Sequence, residues 1–157
     1  KLKSEKVISS DFIKETVAKY FSINKNDLAS EKRSNDIAFP RQIAMYLCRD
    51  VANMSFPQIG KDFGDRDHST VMHAYKKIAK EIKEKFPSKT IWLYTGYEWK
   101  DIKNMDIVNY LDVLVDGEFE VEKKELDLHW KGSANQMVIN VPETLGKGEI
   151  VLHEENC

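Results

Sequence analysis

The run Ile59-Gly60-Lys61-Asp62-Phe63-Gly64-Asp65-Arg66-Asp67-His68-Ser69-Thr70-Val71-Met72-His73-Ala74 constrains the chain more than any other stretch. It reads as a short helix, a turn centred on Gly64 and a second helix that opens on small polar side chains. A tight helix–helix connection needs permissive backbone angles, and Gly64 supplies them. Asp67 is placed to cap the second helix, because its carboxylate can accept a free backbone N–H. From Val71 onward the apolar residues fall at 71, 74, 75, 78 and 82, one stripe of a helix. Ser69, His73, Lys76 and Lys80 fall on the opposite stripe. One face would hold the helix to a core. The other would offer hydroxyl, imidazole and ammonium groups to a DNA groove, as a helix-turn-helix does.

Upstream, Asp11–Phe21 has apolar residues at 13, 17, 20 and 21, which predicts a helix with one buried face. Ile23–Ser34 is polar and broken and reads as a loop, with one helical turn near Asp27–Ala29. Pro40 suits the first turn of the next helix, where a missing N–H costs nothing. That helix runs to about Ala52, and Phe56–Phe63 and Asp67–Lys85 complete an all-α set. Cys48 lies in the apolar stretch Ala44–Val51 and is expected as a buried free thiol rather than a disulfide partner of the distant Cys157. Neither His68 nor His73 has the partners that a metal site needs, so no metal is expected.

The formal net charge of −2 conceals an asymmetry. Residues 1–84 carry 16 Lys and Arg against 12 Asp and Glu, whereas residues 85–157 carry 8 against 14. A basic half beside an acidic half predicts two units with different partners. No apolar run approaches the length of a membrane span, and the start does not read as a signal peptide. A reducing cytoplasm is the expected setting.

The helix-turn-helix run, with Phe39-Pro40-Arg41-Gln42-Ile43-Ala44-Met45-Tyr46-Leu47 upstream of it, resembles the C-terminal DNA-binding domain of the bacterial replication initiator DnaA. The resemblance covers residues 1–84. It implies binding to double-stranded DNA at the short DnaA box of replication origins, in initiation and its regulation, and a nucleoid-associated, cytoplasmic protein. Arg33 matches the arginine that enters the minor groove, and Asp67, His68, Ser69 and Thr70 match the positions that meet base edges. Arg41, Gln42, Arg49, Arg66 and His73 match positions that hold the phosphate backbone. Ser69 stands where Thr is commoner, and Asp65 where Gly is common. Glu31 and Asp36 lower the charge around Arg33. The family's ATPase signature, G-x-x-x-x-G-K-S/T, does not occur in these residues, so neither ATP binding nor catalysis by that route is expected.

After about Lys85 the pattern changes. Lys89–Thr95, Asp112–Asp116, Gln136–Val141 and Ile150–His153 are strand candidates, and Trp99–Tyr110 has a helical period. Apolar strands separated by a helix predict an α/β unit with parallel pairing. Three segments, Lys89–Tyr97, Asp112–Gly117 and Trp130–Gln136, resemble the C-terminal half of the activating enzyme of anaerobic ribonucleoside-triphosphate reductase, a radical S-adenosylmethionine enzyme. Glu118, Met137 and Asn140 depart from its usual Pro, Arg and Asp. The resemblance implies a fragment of a half-barrel in residues 85–157, and so a chimera. That family binds a 4Fe–4S cluster through a CxxxCxxC loop, which is absent here. No cofactor is therefore expected, and the second half is expected to be non-catalytic. The alternative reading makes it a component or remnant of the activating enzyme. Ser133, Asn135 and Gln136 are expected to make a turn, and Trp92, Trp99 and Trp130 to be core or interface aromatics. A half-barrel exposes a sheet edge, which predicts packing on the helical half, self-association or poor order. The expected fold class is α+β: an all-α helix-turn-helix domain over 1–84, then a partial α/β unit over 85–157.

Overall fold

The computed structural model describes residues 8–154, so Cys157 lies outside the described residues. The chain divides into two units, one ending at Ile78 and one beginning at Ala79. The division falls inside a helix that continues to Lys85. The change of sequence pattern placed the boundary later, after residue 84.

The first unit is helical. Helix α1 (Ser10–Phe21) starts at Ser9, whose hydroxyl accepts the Phe12 N–H, and buries Ile13, Val17 and Ala18. It packs against α2 (Asn35–Asp50). Between them a 3-10 turn over Lys25–Ala29 buries Leu28. Helix α2 begins earlier than predicted, and Pro40 lies inside it rather than in its first turn. The ring forgoes one ladder hydrogen bond there, and it is buried against the core. Helix α3 (Phe56–Asp62) opens on a capping box in which the Ser55 and Gln58 side chains each accept the other's backbone N–H. Asp62 at its end accepts hydrogen bonds from Ser10 and Lys14 of α1, each at 2.5 Å. Helix α4 (His68–Lys85) buries Val71, Ala74, Tyr75 and Ile78 of the stripe that periodicity predicts, and also Ala79. Ile82 is only half-buried. Tyr75 stacks on Tyr46 of α2, with ring centroids 4.6 Å apart.

The α3–α4 turn is close-packed. A Cβ on Gly60 would lie 2.1 Å from the Arg66 carbonyl oxygen, and one on Gly64 would lie 2.3 Å from the Ala29 carbonyl oxygen. Gly64 has φ +84° and the next residue, Asp65, has φ +55°. Two successive left-handed residues turn the chain. Asp tolerates this conformation better than most side chains, and Gly tolerates it best. That is a physical reason for the glycine commonly found where Asp65 stands.

The second unit holds a three-stranded sheet in the order β1 (Trp92–Tyr94), β2 (Val113–Val115), β3 (Val138–Asn140). The central register is Leu93–Leu114–Ile139, all buried. The β1–β2 pair is parallel as predicted, but β3 runs antiparallel to β2. The β2–β3 connection has room for a crossover but contains only a 3-10 turn at Val121–Lys123 and no α-helix, whereas the parallel β1–β2 connection carries α5. The helical period over Trp99–Tyr110 resolves into a short helix, α5 (Trp99–Ile102), and a 3-10 turn at Asp106–Tyr110. A last helix, α6 (Val141–Lys147), follows β3 directly. Ile150–His153 forms one bridge, Leu152 to Ile139, rather than a full strand. Carboxylates hold both ends of β2. Asp112 accepts the Ile91 N–H and pairs with Lys83, while Asp116 accepts the Trp99 and Met137 N–H groups. The whole is an α+β chain, a helical region followed by a small mixed sheet with helices.

The glycine geometry makes two opposite predictions. Gly64→Ala should destabilise the first unit by about 2 kcal/mol or more, a left-handed backbone cost of about 1–2 kcal/mol plus the clash with Ala29. Gly146→Ala, inside α6 with nothing within 4 Å of its Cβ, should stabilise the second unit by about 0.5–1 kcal/mol. Urea titrations of the two variants check both signs.

Candidate nucleic-acid interface

Asp67 sits one residue before α4, and its Oδ1 accepts both the Ser69 N–H and the Ser69 hydroxyl at 2.8 Å. These two bonds, the backbone one foremost, hold its carboxyl below the ordinary value of 3.8. Asp67 is therefore an N-cap, and it fixes Ser69 while remaining exposed. His68 Nδ1 lies 3.4 Å from the same carboxylate oxygen. Asp67, His68, Ser69 and Thr70 are all exposed. The helix start thus presents four adjacent polar side chains to solvent.

Arg33 is also exposed, on the loop between the 3-10 turn and α2. Within residues 25–34, the turn and this loop together, Leu28 is the one buried apolar residue. Two arginines hold the backbone of this stretch. Arg41, only 6% exposed, donates from Nε to the Leu28 carbonyl (2.7 Å), from Nη1 to that of Lys32 (2.8 Å), and from Nη2 to those of Asp27 and Ser30 (both 3.0 Å). Arg66, half-buried in the α3–α4 turn, donates from Nη2 to the same Ser30 carbonyl (2.6 Å) and from Nη1 to that of Phe63. Burial, and next the charge of Arg66, push the Arg41 guanidinium below its ordinary value, while Asp27 opposes the shift. Burial is likewise the main influence on Arg66, with Glu31 and Arg33 acting on it in opposite directions.

A groove of about 280 Å³ lies between α2 and α4, lined by Arg41, Gln42, Arg66, Thr70, His73 and Lys77 among others. Five residues read from the sequence as DNA contacts therefore come together there. Gln42 Oε1 is buried without a hydrogen-bond partner. Arg49 does not line this groove; it donates to the Met54 carbonyl at 2.5 Å and closes the chain after α2. Arg41, expected at a phosphate, spends its guanidinium on four carbonyls inside the unit. Lys77 was missed in the sequence. It lies one helical turn beyond His73, and that spacing places it on the same face.

Elsewhere the chemistry is of other kinds. Cys48 is buried and free, its thiol pushed up to about 12 by burial. In the second unit, Gln136 accepts the Gly132 and Ser133 N–H groups and donates to the Gly117 carbonyl. Asn135 donates to the Glu118 carbonyl and Ser133 accepts the Glu120 N–H, so these polar residues make a turn. Trp99 is buried, Trp92 is half-buried against Trp130 and His153, and Trp130 is largely exposed. A cleft of about 750 Å³ is lined by Glu98, Asp101, Asp116, Glu118 and Glu120, against Lys100 and Lys123. Its charge is the wrong sign for a polyanion. Among the described residues no three His, Cys, Asp or Glu are grouped to hold a metal, and no helix is long and apolar enough to cross a membrane.

Residues 10–78 match the family described as "Bacterial dnaA protein helix-turn-helix". The match spans α1 through the first part of α4 and includes every polar residue of the helix start and the groove. This segment is a DnaA C-terminal helix-turn-helix domain, a double-stranded DNA-binding domain of the DnaA type, which is not in itself catalytic.

The Asp67 cap has a pH signature. A carboxyl lowered on folding contributes stability that is present above its unfolded value of 3.8 and is lost as pH falls through the lower folded value. The Ser69 amide resonance should titrate with a midpoint below 3.8. Asp67→Asn keeps an acceptor but cannot ionise, and should abolish that titration. A wild-type midpoint at or above the unfolded value would contradict the cap.

Proposed function

We propose that the first unit reads the DnaA box in double-stranded DNA, in the initiation of replication or its regulation, in the cytoplasm at the nucleoid. One observation carries this reading. The exposed start of α4 and the exposed Arg33 loop are tied to one another by the bond from Arg66, just before α4, to the Ser30 carbonyl. A duplex can meet a recognition helix in its major groove and an arginine in the neighbouring minor groove only if the two are held at a fixed spacing. Asp67, His68, Ser69 and Thr70 meet base edges. His68 donates to a base acceptor, and the Thr70 methyl packs on thymine. Arg33 enters the minor groove, where narrow A·T tracts concentrate negative potential. Gln42, His73 and Lys77, with the outer edge of Arg66, take phosphates along the groove, and Arg49 serves a flanking phosphate. Arg41, which the resemblance also places at the backbone, has its guanidinium turned to four carbonyls of the unit instead.

We infer for the second unit a non-catalytic role. Its motifs resemble the reductase-activating enzyme, but this sequence holds only two cysteines, Cys48 in the first unit and Cys157 in the second, and these cannot form a CxxxCxxC loop. On this reading the two halves have separate origins. Iron uptake with S-adenosylmethionine binding after anaerobic reconstitution would instead establish the activase reading. β1 is an outer strand and is the edge through which we expect any self-association, which sedimentation would detect.

Fluorescence anisotropy with a box duplex and a scrambled duplex, at two salt concentrations, tests the DNA reading. The box should bind more tightly, and both affinities should fall steeply with salt. Arg33→Ala and His68→Ala should each cost about 1–3 kcal/mol and relax specificity. Lys77→Ala should weaken both duplexes alike and reduce the salt slope by about 0.9. Equal affinity for box and scrambled DNA would refute the proposal.

A further inference from the structure

We propose that Arg41 acts on DNA through Arg33, as a positioning residue that fixes the minor-groove loop. The inference rests on the DNA reading above and adds to it the device that sets the loop. Arg41 comes from α2, and its four acceptors are the carbonyls of residues 27, 28, 30 and 32. The last of these matters most. The Lys32 carbonyl belongs to the same planar peptide unit as the Arg33 nitrogen. A bond of 2.8 Å to that oxygen therefore sets the plane from which the Arg33 side chain departs.

The Ser30 carbonyl is a junction. It accepts from Arg41 at 3.0 Å and from Arg66 at 2.6 Å. Arg66 is itself pinned, since its backbone N–H donates to the Gly60 carbonyl at 2.8 Å. The loop is thereby gripped from α2 and from the turn that launches α4. The four carbonyls are met by donors on three nitrogens of a planar fork, whereas lysine has three donors on a single nitrogen and cannot span them. Arg41 is 6% exposed with Nε and both terminal nitrogens engaged, so most of its donor capacity is already committed.

A double-mutant cycle in the full chain separates positioning from direct phosphate binding. Wild type, Arg41→Lys, Arg33→Ala and the double variant are titrated with box and scrambled duplexes at two salt concentrations. Arg41→Lys keeps the charge but loses the fork. It should weaken box binding by about tenfold when Arg33 is present and by less than about twofold in the Arg33→Ala background. The salt slope of the double variant should equal that of Arg33→Ala. A general loss of stability, or a phosphate contact made by Arg41 itself, would weaken both backgrounds equally, and losses that multiply would overturn the proposal. No effect of Arg41→Lys on box binding would overturn it too. If Arg41→Lys does not fold, Arg66→Lys, which loosens only the Ser30 and Phe63 contacts, replaces it in the same cycle with the same criteria. A wild-type chain with no preference for the box refutes the DNA reading itself, whereas preference with multiplying losses refutes only this inference.

Discussion

Two guanidinium groups converge on the Ser30 carbonyl, and the geometry of the helical unit depends on how that convergence is tolerated. Like charges repel, and Arg41 has no carboxylate in direct contact among its hydrogen-bond partners. The compensation comes from carbonyl dipoles. Charge-assisted hydrogen bonds are roughly twice as strong as neutral ones, and four of them meet the desolvation cost of a buried cation. The turn and loop over residues 25–34 have Leu28 as their one fully buried apolar side chain, so polar bonds carry most of their attachment. Gly64 completes the enclosure, since only a residue without a Cβ fits beside the Ala29 carbonyl.

Much of the helical unit was legible because its signals are local. The 71, 74, 75 and 78 stripe of α4 is a repeat within one helix, and Asp67 caps the helix within two residues of itself. The start of α2 was not legible. Pro40 looks like a first-turn residue, and only burial of its ring explains why the helix begins five residues earlier, at Asn35. The packing of Arg41 was not legible either, and only the family resemblance speaks for the residue, by implying a phosphate contact. Its actual partners lie 9 to 14 residues away along the chain and are backbone atoms, which carry no sequence signature. Lys77 was discernible from helical spacing alone.

The second unit shows the opposite balance. Asp112-Val113-Leu114-Val115-Asp116 was readable as a strand, but the job of its flanking carboxylates was not. Each accepts a backbone N–H from a neighbouring segment and so fixes where the short β2 strand begins and ends. The direction of β3 depends on a connection without a crossover helix, and direction leaves no mark on a strand's own apolar pattern. The acidic excess of this half has a visible destination in the carboxylate-lined cleft.

The grip on the 27–32 segment is made through main-chain oxygens at four positions. Any amino acid supplies such an oxygen. The segment can therefore drift widely in side-chain identity, as Glu31 illustrates, without releasing the residue it carries. Its length has no such latitude. One residue more or fewer would bring a different peptide unit under the Arg41 fork and shift Arg33 by a full step of about 3.8 Å along the chain. Spacing rather than composition is what this loop must keep.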